Sequence, residues 1–231
     1  MLTIFAGSMT FKYIDRNYRD SVVIIPGWAT DYRIFNCLDL DFNYFLPVDF
    51  SPFCFKKDLL AELRRNKVKK ISLFGWSLGG FVAVEFAGRH PDIINELILV
   101  SIRKKYERGE IAAIRKYLKR NKKGYLYKFY KQCFSNREEM QWFRENLLED
   151  YYKKFNLNYL LKTLEYLEKA EINPELLNGI ERIKIIHGEH DRIAPMQEAI
   201  DIKSVLTHSK FICIKDAGHM PFFKENFNKF L

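Results

Sequence analysis

A serine set between two glycines is the first feature of this chain that could do chemistry. Residues 74–80 read Phe74-Gly75-Trp76-Ser77-Leu78-Gly79-Gly80, a G-x-S-x-G pattern. In this pattern the serine sits on a sharp, strained strand-to-helix turn that lifts its hydroxyl above the sheet edge. Neighbours two positions away must then be small, and Gly75 and Gly79 meet that demand. The start of the following helix favours negative charge. The backbone N–H of Leu78 is placed to meet an oxyanion that develops on an attacked carbonyl.

A serine hydroxyl is a weak nucleophile and needs a base. With this motif the expected chain order is serine, then an acid, then a histidine. His219 stands in the loop Ala217-Gly218-His219-Met220-Pro221, and Asp191 stands in Gly188-Glu189-His190-Asp191. Both loops follow apolar strand-like runs, so Ser77, Asp191 and His219 are the candidate nucleophile, orienting acid and general base. Asp216 is a rival acid, but its closeness in sequence to His219 points to a loop-stabilising role. Of the other histidines, His187 reads as structural at a strand end and His190 as a loop residue. His90 reads as a surface residue before Pro91, and His208 as part of a polar turn. The second oxyanion donor is expected in the loop after the first central strand, Pro26-Gly27-Trp28-Ala29. The N–H of Trp28 is the candidate, with the indole as a pocket wall; a purely core role for Trp28 is the other reading. No metal-ligand spacing and no phosphate loop occurs, so no metal and no cofactor is expected.

These residues need strands ending just before them. Ser21–Ile25, Lys70–Phe74, Leu97–Val100, Ile183–Ile186 and Phe211–Ile214 are short apolar runs of the kind buried on both faces, with Tyr44–Val48 a weaker candidate. Helical patterns lie between them at Phe55–Arg65, Leu78–Arg89 and Pro195–Leu206. Alternating strands and helices imply an α/β protein with a mostly parallel, doubly wound sheet. The alternation breaks between Arg103 and Asn178, where every periodic signal is helical. Ile111, Ile114 and Leu118 share a face, and Leu157, Leu160, Leu161, Leu164 and Leu167 follow helical spacing. The division is therefore a core from residues 1–102 and 179–231, with residues 103–178 as an inserted all-helical lid.

The bulk composition suits one domain with such an insertion: 231 residues, 48% hydrophobic and 16% aromatic. No apolar run approaches the roughly 18 residues of a membrane span. Met1-Leu2-Thr3-Ile4-Phe5 lacks a basic start and a long apolar core, so no secretory signal and a cytoplasmic location are expected. The four cysteines, Cys37, Cys54, Cys133 and Cys213, are scattered and read as reduced core thiols. The net charge of +9 is uneven: Ser101–Arg137 holds thirteen Lys/Arg against two acids, so that stretch carries +11 and the remainder −2.

Four segments together resemble the pimeloyl-[acyl-carrier protein] methyl ester esterases of biotin synthesis, within the α/β-hydrolase superfamily. They are Pro26-Gly27-Trp28, Gly75-Trp76-Ser77-Leu78-Gly79-Gly80, Gly188-x-x-Asp191 and Gly218-His219-Met220-Pro221-Phe222. The likeness covers nearly the whole sheet domain and is weak across the helical insertion. Against that family the chain reads as short, without leading strands and with only Pro221–Leu231 for a last helix. The resemblance implies the α/β-hydrolase fold and hydrolysis of the methyl ester of a pimeloyl group borne on acyl-carrier protein. Ser77 would attack the carbonyl, and His219 would protonate the departing methanol.

The carrier is acidic, and a lid with Arg103, Lys104, Lys105, Arg108, Arg115, Lys116, Lys119, Arg120, Lys122 and Lys123 would attract it. A solvated charged face is the plainer reading of the same residues, and no nucleic-acid motif accompanies the charge. Phe129, Tyr130, Trp142 and Phe143 line an acyl channel or form the lid's own core. The same triad would also serve a general short-chain carboxylesterase or thioesterase, or a carbon–carbon bond hydrolase.

Overall fold

The computed structural model of the chain describes residues 9–231. The reading of Met1–Phe5 lies outside the described residues. The strands are β1 (Phe11–Ile14), β2 (Ser21–Ile25), β3 (Asn43–Pro47), β4 (Ile71–Trp76), β5 (Ile94–Val100), β6 (Ile183–Gly188) and β7 (Lys210–Ile214). They form one sheet in the order β1-β3-β2-β4-β5-β6-β7. Every pairing is parallel except β1 with β3. β2 and β4 are buried along their whole length, which explains why their sequences are near-continuous apolar runs rather than alternating ones.

β1 corrects the reading that leading strands are missing. It has four residues of mixed polarity at the sheet edge, half-buried or exposed, and so leaves little periodic trace. The end of the chain is also different: Pro221–Phe223 and Phe227–Phe230 are short 3₁₀ turns, not an α-helix.

The helices are α1 (Phe55–Arg65), α2 (Leu78–Arg89), α3 (Arg108–Arg120), α4 (Lys122–Cys133), α5 (Arg137–Asn146), α6 (Leu148–Lys154), α7 (Leu157–Lys169) and α8 (Met196–Val205). α2 buries most of its surface, because it is the helix that crosses the middle of the sheet. α3 to α7 all lie between β5 and β6. Three of them start on an asparagine whose side chain accepts a backbone N–H: Asn121 from Gly124, Asn136 from Glu139 and Asn156 from Tyr159. α3 turns Ile111 and Leu118 inward, and α7 turns Leu160, Leu164 and Leu167 inward. Among the described residues no helix is long and apolar enough to cross a membrane. All four cysteines are free, yet only Cys133 is buried; Cys37 and Cys213 are exposed and Cys54 is intermediate, so the core-thiol reading holds for one of them.

The parallel register brings the carboxyl ends of five strands to one edge. Ile25 pairs with Gly75, Trp76 with Val100, Val100 with Ile186, and Gly188 with Ile214. The loops carrying Trp28, Ser77, Asp191 and His219 all leave from that edge, where sites gather in open parallel sheets.

Candidate functional site

Ser77 occupies the turn between β4 and α2 with φ 54° and ψ −117°. A non-glycine residue in this region is strained and persists only where its surroundings enforce it. Here the enforcement is packing. A Cβ on Gly75 would lie 2.6 Å from the Gly79 carbonyl oxygen, and a Cβ on Gly79 would lie 2.3 Å from the Ile25 carbonyl oxygen. The elbow is pressed against the start of the Pro26–Ala29 loop, so both glycines are required by close approach. The amide of Ser77 donates to the Val100 carbonyl at 3.0 Å, which fixes the turn to the next strand.

The serine faces a histidine from 142 residues away: His219 Nε2 is 2.9 Å from Ser77 Oγ. On the other side of the ring, His219 Nδ1 is 2.8 Å from Asp191 Oδ2. A carboxylate only accepts, so Nδ1 carries the proton and Nε2 is free to accept from the serine hydroxyl. Asp191 is itself fixed, with Oδ1 accepting from the amides of Ile193 at 2.8 Å and Ala194 at 2.9 Å. Burial acts to raise the Asp191 carboxyl, but the facing His219 ring, its hydrogen bond, His187 and the Ala194 amide outweigh it and hold the carboxyl below its ordinary range. The acid is thus ionised and oriented. Asp216 takes no part: it is exposed, its amide donates to Glu189, and its carboxylate lies 3.7 Å from His190.

His187 is closer to the site than its strand-end reading implied. It is fully buried, donates from Nε2 to the Ala194 carbonyl at 3.0 Å, and lies 3.4 Å from Asp191 Oδ2. Burial lowers its pKa, so the ring stands neutral behind the acid. His90 is half-buried rather than on the surface, with its ring 5.0 Å from Phe86.

Trp76, the residue before the serine, has a role that sequence reasoning missed. Its indole N–H donates to the His219 carbonyl at 2.8 Å, and its ring is edge-on to Phe222 at 5.3 Å. A Cβ on Gly27 would meet the same indole at 2.8 Å, so one tryptophan spaces the serine, histidine and Trp28 loops. An aromatic directly before the motif serine was the available signal.

Trp28 and Leu78 are both buried, and both belong to the segments that meet at the elbow. The Trp28 ring is edge-on to Phe129 at 5.0 Å and to Tyr125 at 6.4 Å, and its indole N–H reaches the Leu160 carbonyl at 3.4 Å. Phe129 is therefore brought to the Trp28 loop. Phe143 instead lies in the helical segment's own core, 4.7 Å from the ring of Tyr130, which is also fully buried but turns its hydroxyl to the Ala29 carbonyl, while Trp142 packs on Phe223.

The basic residues divide. Arg108, Lys116, Lys119 and Arg120 are exposed on α3. Arg115 is half-buried and paired with Glu168 at 2.7 Å. Arg103 is a correction to the free-surface reading: it is buried, paired with Glu110 at 3.0 Å and Glu198 at 3.2 Å, and stacked on Tyr106. Lys122 donates to the carbonyls of Tyr152 and Phe155.

A buried hydroxyl, an imidazole with an open nitrogen and an ionised acid in one hydrogen-bonded line form the arrangement that moves a proton off a nucleophilic serine. Comparisons with known proteins give the family and the fold. The profile of the α/β hydrolase fold family matches residues 26–226. A pimeloyl-[acyl-carrier protein] methyl ester esterase from Nitrosomonas europaea is 26% identical over 74% of this chain and 73% of its own length. The protein of that name from Wigglesworthia glossinidia brevipalpis is 28% identical over 90% and 89%. Among solved structures, an esterase from Exiguobacterium antarcticum superposes with a TM-score of 0.80 at 18% identity, covering 96% of this chain and 92% of that one, a likeness of fold. With its parallel sheet, its elbow serine and a profile match over most of its length, the chain belongs to the α/β hydrolase fold family.

Proposed function

We propose that the protein is a serine carboxylic-ester hydrolase that cleaves the methyl ester of a pimeloyl group carried on acyl-carrier protein. The observation that carries the chemistry is the line Ser77–His219–Asp191, with contacts of 2.9 and 2.8 Å. Ser77 Oγ attacks the ester carbonyl while His219 Nε2 takes its proton. The amides of Leu78 and Trp28 receive the oxyanion. Collapse expels methanol, protonated by His219, and leaves an acyl-Ser77 ester. Water, deprotonated by the same nitrogen, then releases the free carboxylate and restores the serine.

The substrate reading is supported by the names of the two relatives and by the charge of the helical segment, which serves as the lid. Arg108, Lys116, Lys119 and Arg120 on α3, with Lys128 on α4, are exposed, and they present positive potential to an acidic carrier. A groove of about 460 Å³ runs between α3 and α4 past Tyr117, Arg120, Tyr125 and Lys128. Tyr125, which lines this groove, also lies edge-on to the Trp28 ring with centroids 6.4 Å apart.

The test is hydrolysis of pimeloyl methyl ester on acyl-carrier protein by the native protein and by Ser77→Ala. Rapid release of methanol by the native protein alone is the expected result. A native protein that turns over simple aryl esters but leaves the carrier-borne ester intact would keep the hydrolase and overturn the substrate.

A further inference from the structure

The peptide between Gly27 and Trp28 is held at its far end. A trans peptide is a rigid plane whose C=O and N–H point in opposite directions, so gripping the carbonyl sets the direction of the amide. The Thr30 hydroxyl donates to the Gly27 carbonyl at 3.0 Å, in a fully buried position. Between them the chain turns through Ala29, at φ 58°. An alanine in that region is maintained only by contacts that over-determine it. Those contacts come from the helical segment between β5 and β6. Tyr130 on α4, also fully buried, donates its hydroxyl to the Ala29 carbonyl at 2.5 Å. Tyr151 on α6 donates to Asp31 Oδ1 at 3.2 Å. Lys154 on α6 adds an ion pair to Asp31 Oδ2 at 2.8 Å.

We propose that Thr30, Tyr130 and Tyr151 are positioning residues that aim the Trp28 amide at the oxyanion, so that the helical segment is the fixed brace of the oxyanion loop. This rests on the hydrolase reading above and on the Trp28 N–H as a donor. The geometry is that of a brace rather than a flap. The loop is bonded to α4 and α6 through the Ala29 carbonyl and the Asp31 carboxylate, which follow the donor peptide, and the residue before that peptide is seated on the elbow, where a Cβ at Gly79 would lie 2.8 Å from the Pro26 carbonyl oxygen. Both oxyanion donors therefore share one rigid frame, which is what preorganised stabilisation of developing charge requires.

Removing an oxyanion donor outright lowers kcat by about 10²–10³-fold. Releasing the peptide that bears it loses a part of that. Thr30→Val and Tyr130→Phe are expected to lower kcat about 10- to 100-fold on p-nitrophenyl acetate, with KM within about twofold, because the donor acts mainly on the transition state. Thr30→Ser retains the hydroxyl and restores most of the rate. Rates are normalised to active sites titrated with a fluorophosphonate, so a variant that is merely less folded loses sites and not kcat. Should Thr30→Val not fold, Tyr130→Phe carries the test, since it removes one hydroxyl and keeps the ring.

Native kcat per titrated site in the variants that fold overturns the brace. A native protein that neither reacts with the fluorophosphonate nor cleaves the aryl ester overturns the hydrolase reading beneath it. The structure of the native phosphonate adduct separates the remaining case: a phosphoryl oxygen turned away from the Trp28 N–H overturns the donor assignment and the brace with it.

Discussion

Replacing Asp191 by asparagine keeps the size of the side chain and changes one acceptor oxygen for a donor NH₂. In the native protein Oδ1 accepts two backbone amides, from Ile193 and Ala194, at 2.8 and 2.9 Å. An asparagine must place its carbonyl oxygen there, because its NH₂ would face two N–H donors. The NH₂ then takes the position 2.8 Å from His219 Nδ1. A donor facing Nδ1 moves the imidazole proton to Nε2, which points at Ser77 Oγ at 2.9 Å. The ring can no longer accept the serine proton. Loss of the correct tautomer in such a triad costs about 10⁴ in kcat, equivalent to about 5.4 kcal/mol of transition-state stabilisation at 1.36 kcal/mol per tenfold. The assay is the steady-state hydrolysis of an aryl ester alongside a thermal melt. Asp191→Asn is expected to melt within a few degrees of the native protein and to lose about three to four orders of magnitude in kcat with little change in KM. A folded variant within tenfold of the native rate would refute the role given to Asp191.

Three further outcomes follow from the same contacts. Trp76→Phe leaves the buried His219 carbonyl without its 2.8 Å donor; the variant is expected to lose about 1–3 kcal/mol by denaturant unfolding and to fall in kcat more than it changes in KM. Asp31 is raised by burial but lowered further by the Arg33 hydrogen bond and the Lys154 ammonium, so its folded pKa lies below the unfolded one. Its contribution to stability is then fully present above the unfolded value of about 3.9 and is lost as pH falls through the folded pKa. Melting temperature measured against pH should drop in acid for the native protein and drop less for Asp31→Asn. Charge reversal at Lys119 and Arg120, both exposed, should raise KM for the carrier-borne ester several-fold at low salt and leave aryl-ester KM unchanged. Added salt should weaken the native protein toward the variant, and an unchanged carrier KM would remove this face from docking.

The line of Ser77, Asp191 and His219 was legible because each residue follows a strand and the glycines of the elbow have a steric reason to be there. The central strands were legible for the same kind of reason: Ser21–Ile25 and Ile71–Trp76 are buried on both faces and are almost wholly apolar, Ser21 and Ser72 being the polar residues in them. β1 was not, because a four-residue edge strand imposes almost no pattern. The contacts of Trp76, Thr30, Asp31, Tyr130 and Tyr151 were equally hidden. They join residues about 100 or more positions apart, or depend on a hydroxyl turning toward one carbonyl, and neither leaves a periodic trace. Charge counting misled at Arg103, since a sum cannot tell an exposed arginine from one buried between Glu110 and Glu198. Aromatic content likewise did not separate Phe129, against Trp28, from Phe143 in the helical core.

The most direct measurement is the site of covalent capture. Treating the native protein with a fluorophosphonate and mapping the adduct by mass spectrometry should give one equivalent on Ser77, with loss of esterase activity in proportion to labelling and neither labelling nor activity in Ser77→Ala. An adduct on another residue, or a Ser77→Ala protein that hydrolyses esters at the native rate, would contradict a mechanism that passes through this serine.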